Sequence, residues 1–255
     1  MKNLFTILFA FILVAGYSQE DYKIAHNTGM IKIYDVHQVS VTAYDGNEVI
    51  FSTPHSSKSD KVDERAAGLK RFNSAGLDDN TGMGLYVKKD GQDLSVQQIS
   101  SNCDCDITIK LPRNMGVYYT HGTFNGDDVT IDGVQGEIEI SATYNSLKLI
   151  NVSGPMAVKS VYGSIDAEFS SLSQAGSISL NSVYDHVDAS FPSASSYEVS
   201  IRTPYGDIFS DVDIKVEESN GLKRISSTRV NGTVNGGGVD VTLKSNYDNV
   251  YLRKN

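Results

Sequence analysis

The chain has 255 residues, a formal net charge of −9, 14 tyrosines and no tryptophan, and 40% of its residues are hydrophobic. This apolar fraction is enough for a buried core in one domain or two small ones, whereas the acidic balance argues against nucleic-acid binding, which needs clustered Lys and Arg. Two cysteines are too few for a disulfide-stapled scaffold, and the many tyrosines with only five prolines favour strands over helices.

Residues 1–18 are predicted to be a signal peptide. Lys2 supplies a positive n-region, Leu4–Ala15 is almost continuously apolar, and Gly16-Tyr17-Ser18 supplies small residues before a cleavage site. The apolar run is too short to span a bilayer comfortably, so an uncleaved anchor is the weaker alternative. No later stretch is long enough for a membrane helix. We therefore expect an exported chain, residues 19–255, in the periplasm or on the outer cell surface, where thiols can be oxidised.

Strand-like sequence begins after the signal peptide, at Met30–Ile33 and Val39–Thr42. Residues 53–101 are then mostly polar and are interpreted as an insertion across the start of the fold. Apolar residues near helical spacing predict one short helix within it, over Lys58–Phe72. A separate domain is less consistent with the few apolar residues that this region offers.

Residues 102–255 form the predicted repeat body. Short segments such as Ile165–Phe169, Val187–Phe191, Val212–Val216 and Val239–Leu243 alternate strictly between apolar and polar residues. Successive side chains on a strand point to opposite sides, so each of these segments has one face for a core and one for water.

A tyrosine followed by turn-forming residues recurs in this body, at Tyr144, Tyr162, Tyr184, Tyr205 and Tyr247. The spacings are 18, 22, 21 and 42 residues, and we interpret the last as two periods of 21. An aliphatic residue always stands three positions after the tyrosine, and Ala, Ser or Thr stands two positions before it. The Gly, Asn or Asp that follows the tyrosine tolerates the positive φ of a sharp corner.

A fixed period near 21 residues is typical of a stacked architecture, because each unit is too small to bury its own apolar face. The sequence therefore predicts an all-β fold: a β-solenoid or parallel β-helix-like stack of short strands, with one polar insertion that carries a short helix. A sandwich of hairpins is the alternative, since its strands also recur at short intervals. The tyrosines are interpreted as a stacked structural ladder, with ligand stacking as the alternative.

Cys103 and Cys105, on either side of Asp104, are the strongest candidates for chemical reactivity in the sequence. On a strand, residues i and i+2 face the same side about 6.5–7 Å apart, which is at or past the limit for an unstrained disulfide. Three interpretations stay open: a structural or strained disulfide, two thiols with no role, and a metal or redox site, for which no further ligands are patterned nearby.

No other motif predicts chemistry. The five histidines form no metal-binding pair, no serine-hydrolase elbow is present, and Gly236–Asp240 resembles a calcium loop only once. Between residues 101 and 218 there are 17 Asp and Glu against 6 Lys and Arg, and we interpret these carboxylates as a solvated face. We predict no metal site, no cofactor and no catalytic residues.

Further segments stand out beside the tyrosine repeats, namely Gly29–Ile33, Ala67–Lys70, Asp79–Leu85, Asp106–Pro112 and Asn235–Lys254. Together they resemble the DUF4097/DUF2807-type adhesin families of bacterial envelope proteins, over most of the chain after the signal peptide. The resemblance implies a β-solenoid-like fold and a surface or periplasmic setting, and it implies no catalytic residues. The end of the signal, Ser18-Gln19, is similar to those of Bacteroidetes-type bacteria.

The sequence thus predicts a non-enzymatic exported cell-envelope protein, an adhesin-like or scaffold module that presents an acidic, Ser/Thr-rich β surface. Its expected partner is an envelope glycan or a surface protein, and not nucleic acid. A polysaccharide-acting β-helix enzyme is one alternative, although six basic residues in the repeats offer little to stabilise developing charge. An accessory component of envelope sensing is another.

Overall fold

The computed structural model describes residues 21–53, 65, 68–99, 106–216, 218–219, 222–223 and 228–255. The predicted signal peptide lies outside the described residues, and so do Cys103, Cys105 and most of the helix predicted over Lys58–Phe72. Within the described parts, no helix is long and apolar enough to cross a membrane.

The described end of the predicted helix, residues 68–72, is not helical. It is a turn followed by extended chain, and Phe72 forms an isolated bridge with Asp78. The reason lies just after it, where the Asn73 side-chain oxygen accepts hydrogen bonds from the backbone N–H groups of Ala75 and Leu77. An Asn that bonds its own neighbouring backbone in this way favours a turn over a helix.

The described residues form 23 strands. In chain order they are β1 (Tyr22–Ala25), β2 (Met30–Tyr34), β3 (Gln38–Tyr44), β4 (Glu48–Ser52), β5 (Leu85–Asp90), β6 (Asp93–Gln98), β7 (Asp106–Pro112), β8 (Gly116–His121), β9 (Val129–Asp132), β10 (Ile138–Ala142), β11 (Leu147–Val152), β12 (Met156–Ser160), β13 (Ile165–Phe169), β14 (Ile178–Ser182), β15 (Val187–Phe191), β16 (Tyr197–Arg202), β17 (Ile208–Ser210), β18 (Lys215–Val216), β19 (Glu218–Ser219), β20 (Leu222–Lys223), β21 (Arg229–Val234), β22 (Val239–Ser245) and β23 (Val250–Lys254).

All but β19 and β20 belong to two sheets. Sheet A has the order β1-β4-β7-β3-β9-β11-β13-β15-β23-β17, and sheet B has the order β18-β21-β16-β22-β14-β12-β10-β8-β2-β6-β5. Pairing is parallel over most of each sheet and antiparallel only near the ends, as between β4 and β7 or β5 and β6. The predicted β-solenoid is therefore confirmed, because hairpin-linked strands of a sandwich would pair antiparallel.

Each rung of the stack contributes one strand to each sheet. In spatial order the rungs are β6–β7, β2–β3, β8–β9, β10–β11, β12–β13, β14–β15, β22–β23 and β16–β17. The pairing holds register from rung to rung, so that Leu147 faces Ile165, and Ile165 faces Val187. Equivalent side chains of successive rungs consequently lie above one another.

Chain order and spatial order differ at both ends of the stack. The last rung in the chain, β22–β23, lies between β14–β15 and β16–β17, and Val250 pairs with Val187 on one side and Ile208 on the other. The spacing of 42 residues before Tyr247 is therefore not two consecutive periods. The chain first completes the outer rung, then passes through β18–β21, and returns to fill the gap inside the stack.

The core lies between the two sheets. On β10, Ile138, Ile140 and Ala142 are buried, whereas Ser141 between them is exposed. The same alternation recurs along the stack and stabilises it by about 25 cal/mol per Å² of apolar surface removed from water. Phe169 and Phe191, on adjacent rungs, stack inside the core with ring centroids 4.4 Å apart.

The region that we interpreted as a polar insertion, residues 53–101, contributes two strands to sheet B. β5 and β6 form a hairpin, and β6 also pairs in parallel with β2, so that Ile31 faces Leu94. Leu85 and Leu94 are completely buried in the common core. This hairpin covers one end of sheet B.

Candidate functional site

Each tyrosine of the repeat lies at a corner where a rung passes from sheet B to sheet A. Tyr144, for example, stands between β10 and β11. The side chains are exposed, from 43% for Tyr144 to 75% for Tyr205. A row of exposed aromatic side chains on one side of a folded domain marks it as a candidate interaction surface.

The five rings form one continuous stack. The ring centroids are 4.9 Å apart for Tyr144 and Tyr162, 4.9 Å for Tyr162 and Tyr184, 5.0 Å for Tyr184 and Tyr247, and 5.2 Å for Tyr247 and Tyr205, with planes within 15° of parallel. This spacing follows from the backbone, because paired strands repeat every ~4.8 Å. Since each inner ring is covered on both faces by its neighbours, the stack presents ring edges and phenolic hydroxyls to solvent.

A row of buried hydroxyls lies behind the tyrosines. It is formed by the residue two positions before the tyrosine in four rungs, namely Ser160, Ser182, Ser245 and Thr203. The Ser182 hydroxyl accepts a hydrogen bond of 3.2 Å from the backbone N–H of Asp185 and donates one of 3.0 Å to the carbonyl of Gly163 on the neighbouring rung. The other three hydroxyls make the equivalent two bonds. This hydroxyl ladder ties each corner to the next and holds the rings in register.

The corners do not use the left-handed backbone that the sequence suggested. None of the residues directly after the five tyrosines has a positive φ. Gly163 is needed for space instead, since a Cβ there would collide with the carbonyl oxygen of Asn145 on the neighbouring rung. At the corner, the backbone N–H group instead donates its hydrogen bond to a hydroxyl of the ladder.

The hydroxyl ladder gives way to a polar cluster at the rung before Tyr144. His121 pairs with Ala142 across the sheet and thus occupies the position of the ladder residues. His121 is buried, and its Nδ1 lies 3.0 Å from Oδ1 of Asn145, whose Nδ2 donates to the carbonyls of His37 and Asp127. Because the Asn145 amide nitrogen is committed to two carbonyls, its oxygen must accept, and Nδ1 of His121 carries the proton.

The same cluster brings two histidines together. The ring centroids of His37 and His121 are 5.3 Å apart, and Asn125 hydrogen-bonds to the His37 ring. Burial lowers the pKa of His121, and the hydrogen bond that His121 donates to Asn145 and the charge of Asp35 only partly oppose this shift. His121 is therefore a neutral hydrogen-bonding group near pH 7.

The outer face of sheet A continues the site beside the tyrosines. Four positions after each tyrosine stand Lys148, Asp166, Asp188, Tyr251 and Phe209, in spatial order. A shallow groove of about 230 Å³ lies across part of this row and includes Asp166, Glu168 and Arg253 in its lining. Arg253 donates two hydrogen bonds of 2.8 Å to Asp188, one to each carboxylate oxygen, and its guanidinium lies 5.3 Å from the Tyr251 ring centroid.

His186 joins this groove to the tyrosine corners. Its Nδ1 lies 2.9 Å from Asp185 and its Nε2 lies 3.1 Å from Asp166. Burial by itself lowers the pKa of His186, but the hydrogen bonds and charges of Asp166 and Asp185 outweigh burial, and the net pKa is raised. Two of the groove carboxylates are therefore paired, Asp166 with His186 and Asp188 with Arg253.

Among the described residues, no group of three or more His, Cys, Asp or Glu side chains could hold a metal ion. Cys103 and Cys105 lie outside those residues, so the three interpretations of that pair stay predictions. Sequence reasoning missed the His37–His121 cluster, because its members come from different rungs and no local motif links them. It noted the small residues two positions before each tyrosine, but it did not recognise them as hydrogen-bonding partners.

The fold and the five tyrosine corners define a β-solenoid protein of two sheets with a continuous row of exposed aromatic side chains. A family model described as Toastrack DUF4097 matches residues 42–253, and the chain belongs to this family.

A solved structure with similarity to this chain has been described as a "putative cell adhesion protein" from Clostridium sporogenes. The two chains share 8% sequence identity, the alignment covers 93% of this chain and 100% of the other, and the TM-score is 0.48. No curated protein matches the chain.

Proposed function

We propose that this chain is a non-enzymatic, exported cell-envelope protein, an adhesin-like module that binds an envelope glycan or a surface protein along its tyrosine stack. The observation that carries the proposal is the row of five exposed tyrosines at a spacing of about 5 Å. The predicted signal peptide supports the export, and the family assignment agrees with an envelope setting.

The tyrosine stack is suited to binding because it is already ordered. Each ring is held by its neighbours and by a corner that the hydroxyl ladder anchors, so little conformational entropy is lost on contact. A phenolic side chain combines apolar surface with a hydroxyl that donates and accepts, which is why Tyr is enriched in binding surfaces. Ring edges and hydroxyls in a straight row suit an extended polymer with regularly repeated hydroxyl or amide groups.

The acidic groove beside the stack favours binding over hydrolysis. Asp166 is held by His186, and Asp188 by Arg253, so both carboxylates already have cationic or hydrogen-bonding partners. A polysaccharide-acting enzyme needs one carboxylic acid with a raised pKa and one free carboxylate across the scissile bond. Paired carboxylates and a row of tyrosines fit a surface that recognises sugar or peptide groups without cleaving them.

Binding to purified bacterial envelope polysaccharides and to an envelope fraction tests the proposal. Tyr162→Ala with Tyr184→Ala removes two rings from the stack and should weaken binding by tenfold or more, which corresponds to about 1.4 kcal/mol or more. The matched control is Tyr34→Ala with Tyr118→Ala, a tilted tyrosine pair outside the stack with ring centroids 5.8 Å apart, which should leave binding unchanged.

Two results would count against the proposal. One is equal binding by the stack variant and the parent protein while both remain folded by thermal unfolding. The other is release of cleavage products from a polysaccharide, with the release abolished by Asp166→Asn or Glu168→Gln, since that outcome favours the enzymatic alternative.

A further inference from the structure

A cavity of about 210 Å³ lies on the side of the stack away from the tyrosine corners. Phe191 ends β15 and Tyr197 begins β16, and both line the cavity, which therefore lies where the chain passes from sheet A to sheet B. Each tyrosine of the stack stands at the opposite corner, where the chain passes from sheet B to sheet A. Sheet A ends at β17 with an exposed edge, whereas sheet B continues through β21 and β18. Val212 and Val234, from this outer end of the molecule, contribute to the cavity wall.

The cavity borders a place where a row of inward-facing rings is interrupted. Phe169 and Phe191 take the inward position at the ends of β13 and β15, and their rings stack with centroids 4.4 Å apart. On the next rung Lys254 pairs with Phe191, and it shares the inward face of β23 with Val250 and Leu252, which are completely buried. A lysine stem is thinner than a phenyl ring and its ammonium must reach water, so the Lys254 side chain leaves the core and is exposed. The space that a third ring would fill therefore opens into the cavity, which Phe191 and Lys254 both line.

Tyr197 supplies a polar group that has no partner. Its side chain is 1% exposed, yet its hydroxyl makes no hydrogen bond with any described residue. The hydroxyl is not sealed in, because Asn181 Oδ1 is the only completely enclosed side-chain polar atom without a partner in the described part of the chain. The Tyr197 hydroxyl therefore opens to the cavity that Tyr197 lines. Burial, together with the charge of Asp211, raises the pKa of Tyr197 to about 12, so the hydroxyl keeps its proton and can both donate and accept.

Charges of both signs surround the opening of the cavity. Asp213 and Lys254 line it and are exposed, and neither takes part in an ion pair with another described residue. Asp211 lies near enough for its charge to act on the Tyr197 hydroxyl. A ligand with a full charge would meet a like charge as well as an opposite one, so the opening favours a neutral ligand.

We propose that this cavity is a binding site for one small, neutral aromatic compound that carries a hydroxyl group, such as a simple phenol. The ring packs against the apolar side chains of Phe191, Val212 and Val234, and the ligand hydroxyl exchanges a hydrogen bond with that of Tyr197. A concave, mostly apolar wall with a few fixed polar groups is the usual form of a small-molecule site. The volume is below the range of about 300–1,000 Å³ that is typical of sites for drug-sized ligands, and it suits a single ring.

Lys254 favours an aromatic ring over an aliphatic one. Its ammonium can lie over the face of a ring in the cavity, where a cation is attracted to the π-electrons. The chain already makes such a contact on the neighbouring residue, since the Arg253 guanidinium lies 5.3 Å from the ring centroid of Tyr251. The site is separate from the tyrosine stack, and it does not depend on what that stack binds.

Titration of the chain from residue 19 onward with p-cresol, followed by nuclear magnetic resonance of the backbone amides, tests the site. We expect saturable binding with the largest shifts around Phe191 and Tyr197. Tyr197→Phe should weaken the binding of p-cresol about threefold to tenfold, as for one lost hydrogen bond, and should leave the binding of toluene unchanged. This variant loses a single oxygen atom that bonds to no described residue, so it is expected to fold like the parent.

A second variant fills the cavity. Lys254→Phe continues the row of inward-facing rings and should abolish the binding of p-cresol while it raises the unfolding temperature, because a ring replaces empty volume. Lys159→Phe makes the same change on the solvent face of β12, and it should bind p-cresol like the parent protein.

The proposal is overturned if the parent protein shows no saturable shifts around the cavity up to the solubility limit of p-cresol. It is also overturned if Tyr197→Phe binds p-cresol as tightly as the parent does, or if a folded Lys254→Phe variant still binds it. Binding of a capped tripeptide with a central tyrosine, without binding of p-cresol, would assign the cavity to a side chain of a partner protein instead and would equally overturn the proposal. Each of these results leaves the binding role of the tyrosine stack, which is tested at Tyr162 and Tyr184, unaffected.

Discussion

The rings of Tyr184 and Tyr247 lie face to face with centroids 5.0 Å apart, although the complete rung β16–β17 and the four strands β18 to β21 separate their rungs in the chain. The contact exists because β22 and β23 lie between strands that precede both of them in the chain. Val241 pairs with Ile178, and Val250 pairs with Val187, in the same register as their neighbours. The last rung of the sequence is thus an internal rung of the structure.

This placement predicts that the carboxyl-terminal segment cannot be removed without loss of the fold. A chain that ends at residue 235 lacks β22 and β23, so the rung β16–β17 loses its neighbour and the core opens in the middle of a sheet. We expect one cooperative collapse, measured as a large drop in far-ultraviolet circular dichroism and in the unfolding temperature. A simple linear solenoid would lose stability gradually on truncation from its end.

The control removes an outer strand instead. Deletion of residues 21–28 takes away β1, which pairs with β4 alone among the described strands. That variant should keep its cooperative transition at a lower temperature. Equal stability losses in the two truncations would show that the internal position of the last rung has no energetic importance.

The hydroxyl ladder provides a second prediction. Ser182→Ala removes an acceptor from the Asp185 N–H and a donor from the Gly163 carbonyl, and both groups remain near the buried corner. The expected decrease in the free energy of unfolding is about 1–3 kcal/mol, the cost of leaving buried polar groups unsatisfied. Chemical denaturation measures it. Ser179→Ala on the same strand, where the side chain faces outward, should change the stability by less than about 0.5 kcal/mol.

A third prediction concerns the tight corner at Gly163. Gly163→Ala places a methyl group against the backbone carbonyl of Asn145, which belongs to the neighbouring rung and cannot rotate away. We expect a loss of stability of about 2 kcal/mol or more, in the range of overpacked positions. Gly122→Ala is the matched control, since nothing lies within 4 Å of a Cβ at that position. Comparable midpoints for the two variants in urea would contradict the steric explanation.

The two histidine environments predict opposite responses to pH. The folded-state pKa of His121 is lowered from 6.5, so the stability that it contributes is present above 6.5 and decreases as the pH falls through the folded-state pKa. The folded-state pKa of His186 is raised, so its contribution is present at low pH and is lost as the pH rises through the folded-state pKa.

Nuclear magnetic resonance titration of the two imidazole rings checks the direction of both shifts. In denaturation experiments, His121→Asn should weaken the loss of stability that appears as the pH falls below 6.5, and His186→Asn should remove the gain that appears as the pH falls from above the folded-state pKa of His186 to 6.5. A higher midpoint for His121 than for His186 would rule out the proposed environments.

The sequence predicted the repeating unit because that unit is local. Strict alternation places Ile165, Ala167 and Phe169 on one face of a strand whatever their partners are, and the turn after each tyrosine is encoded within a few residues. For the same reason the spacing of the tyrosines and the small residue two positions before each tyrosine could be read directly. The helix predicted over Lys58–Phe72 rested on spacing alone, and the described residues 68–72 adopt a turn and extended chain because Asn73 bonds the backbone beyond them.

Tertiary structure decided the order of the rungs and every contact between distant segments. Strands β14 and β22 offer similar apolar faces to a neighbour, and nothing in the local sequence states which strand will pair with which. Only the return of the chain after β21 places Tyr247 between Tyr184 and Tyr205, and only stacking of rungs brings His121 next to His37. The sequence by itself thus determined the strands and the turn of each rung. The packing of rungs decided their order, the continuity of the tyrosine stack and the exposed edge at β17, because these features depend on contacts that no single repeat contains.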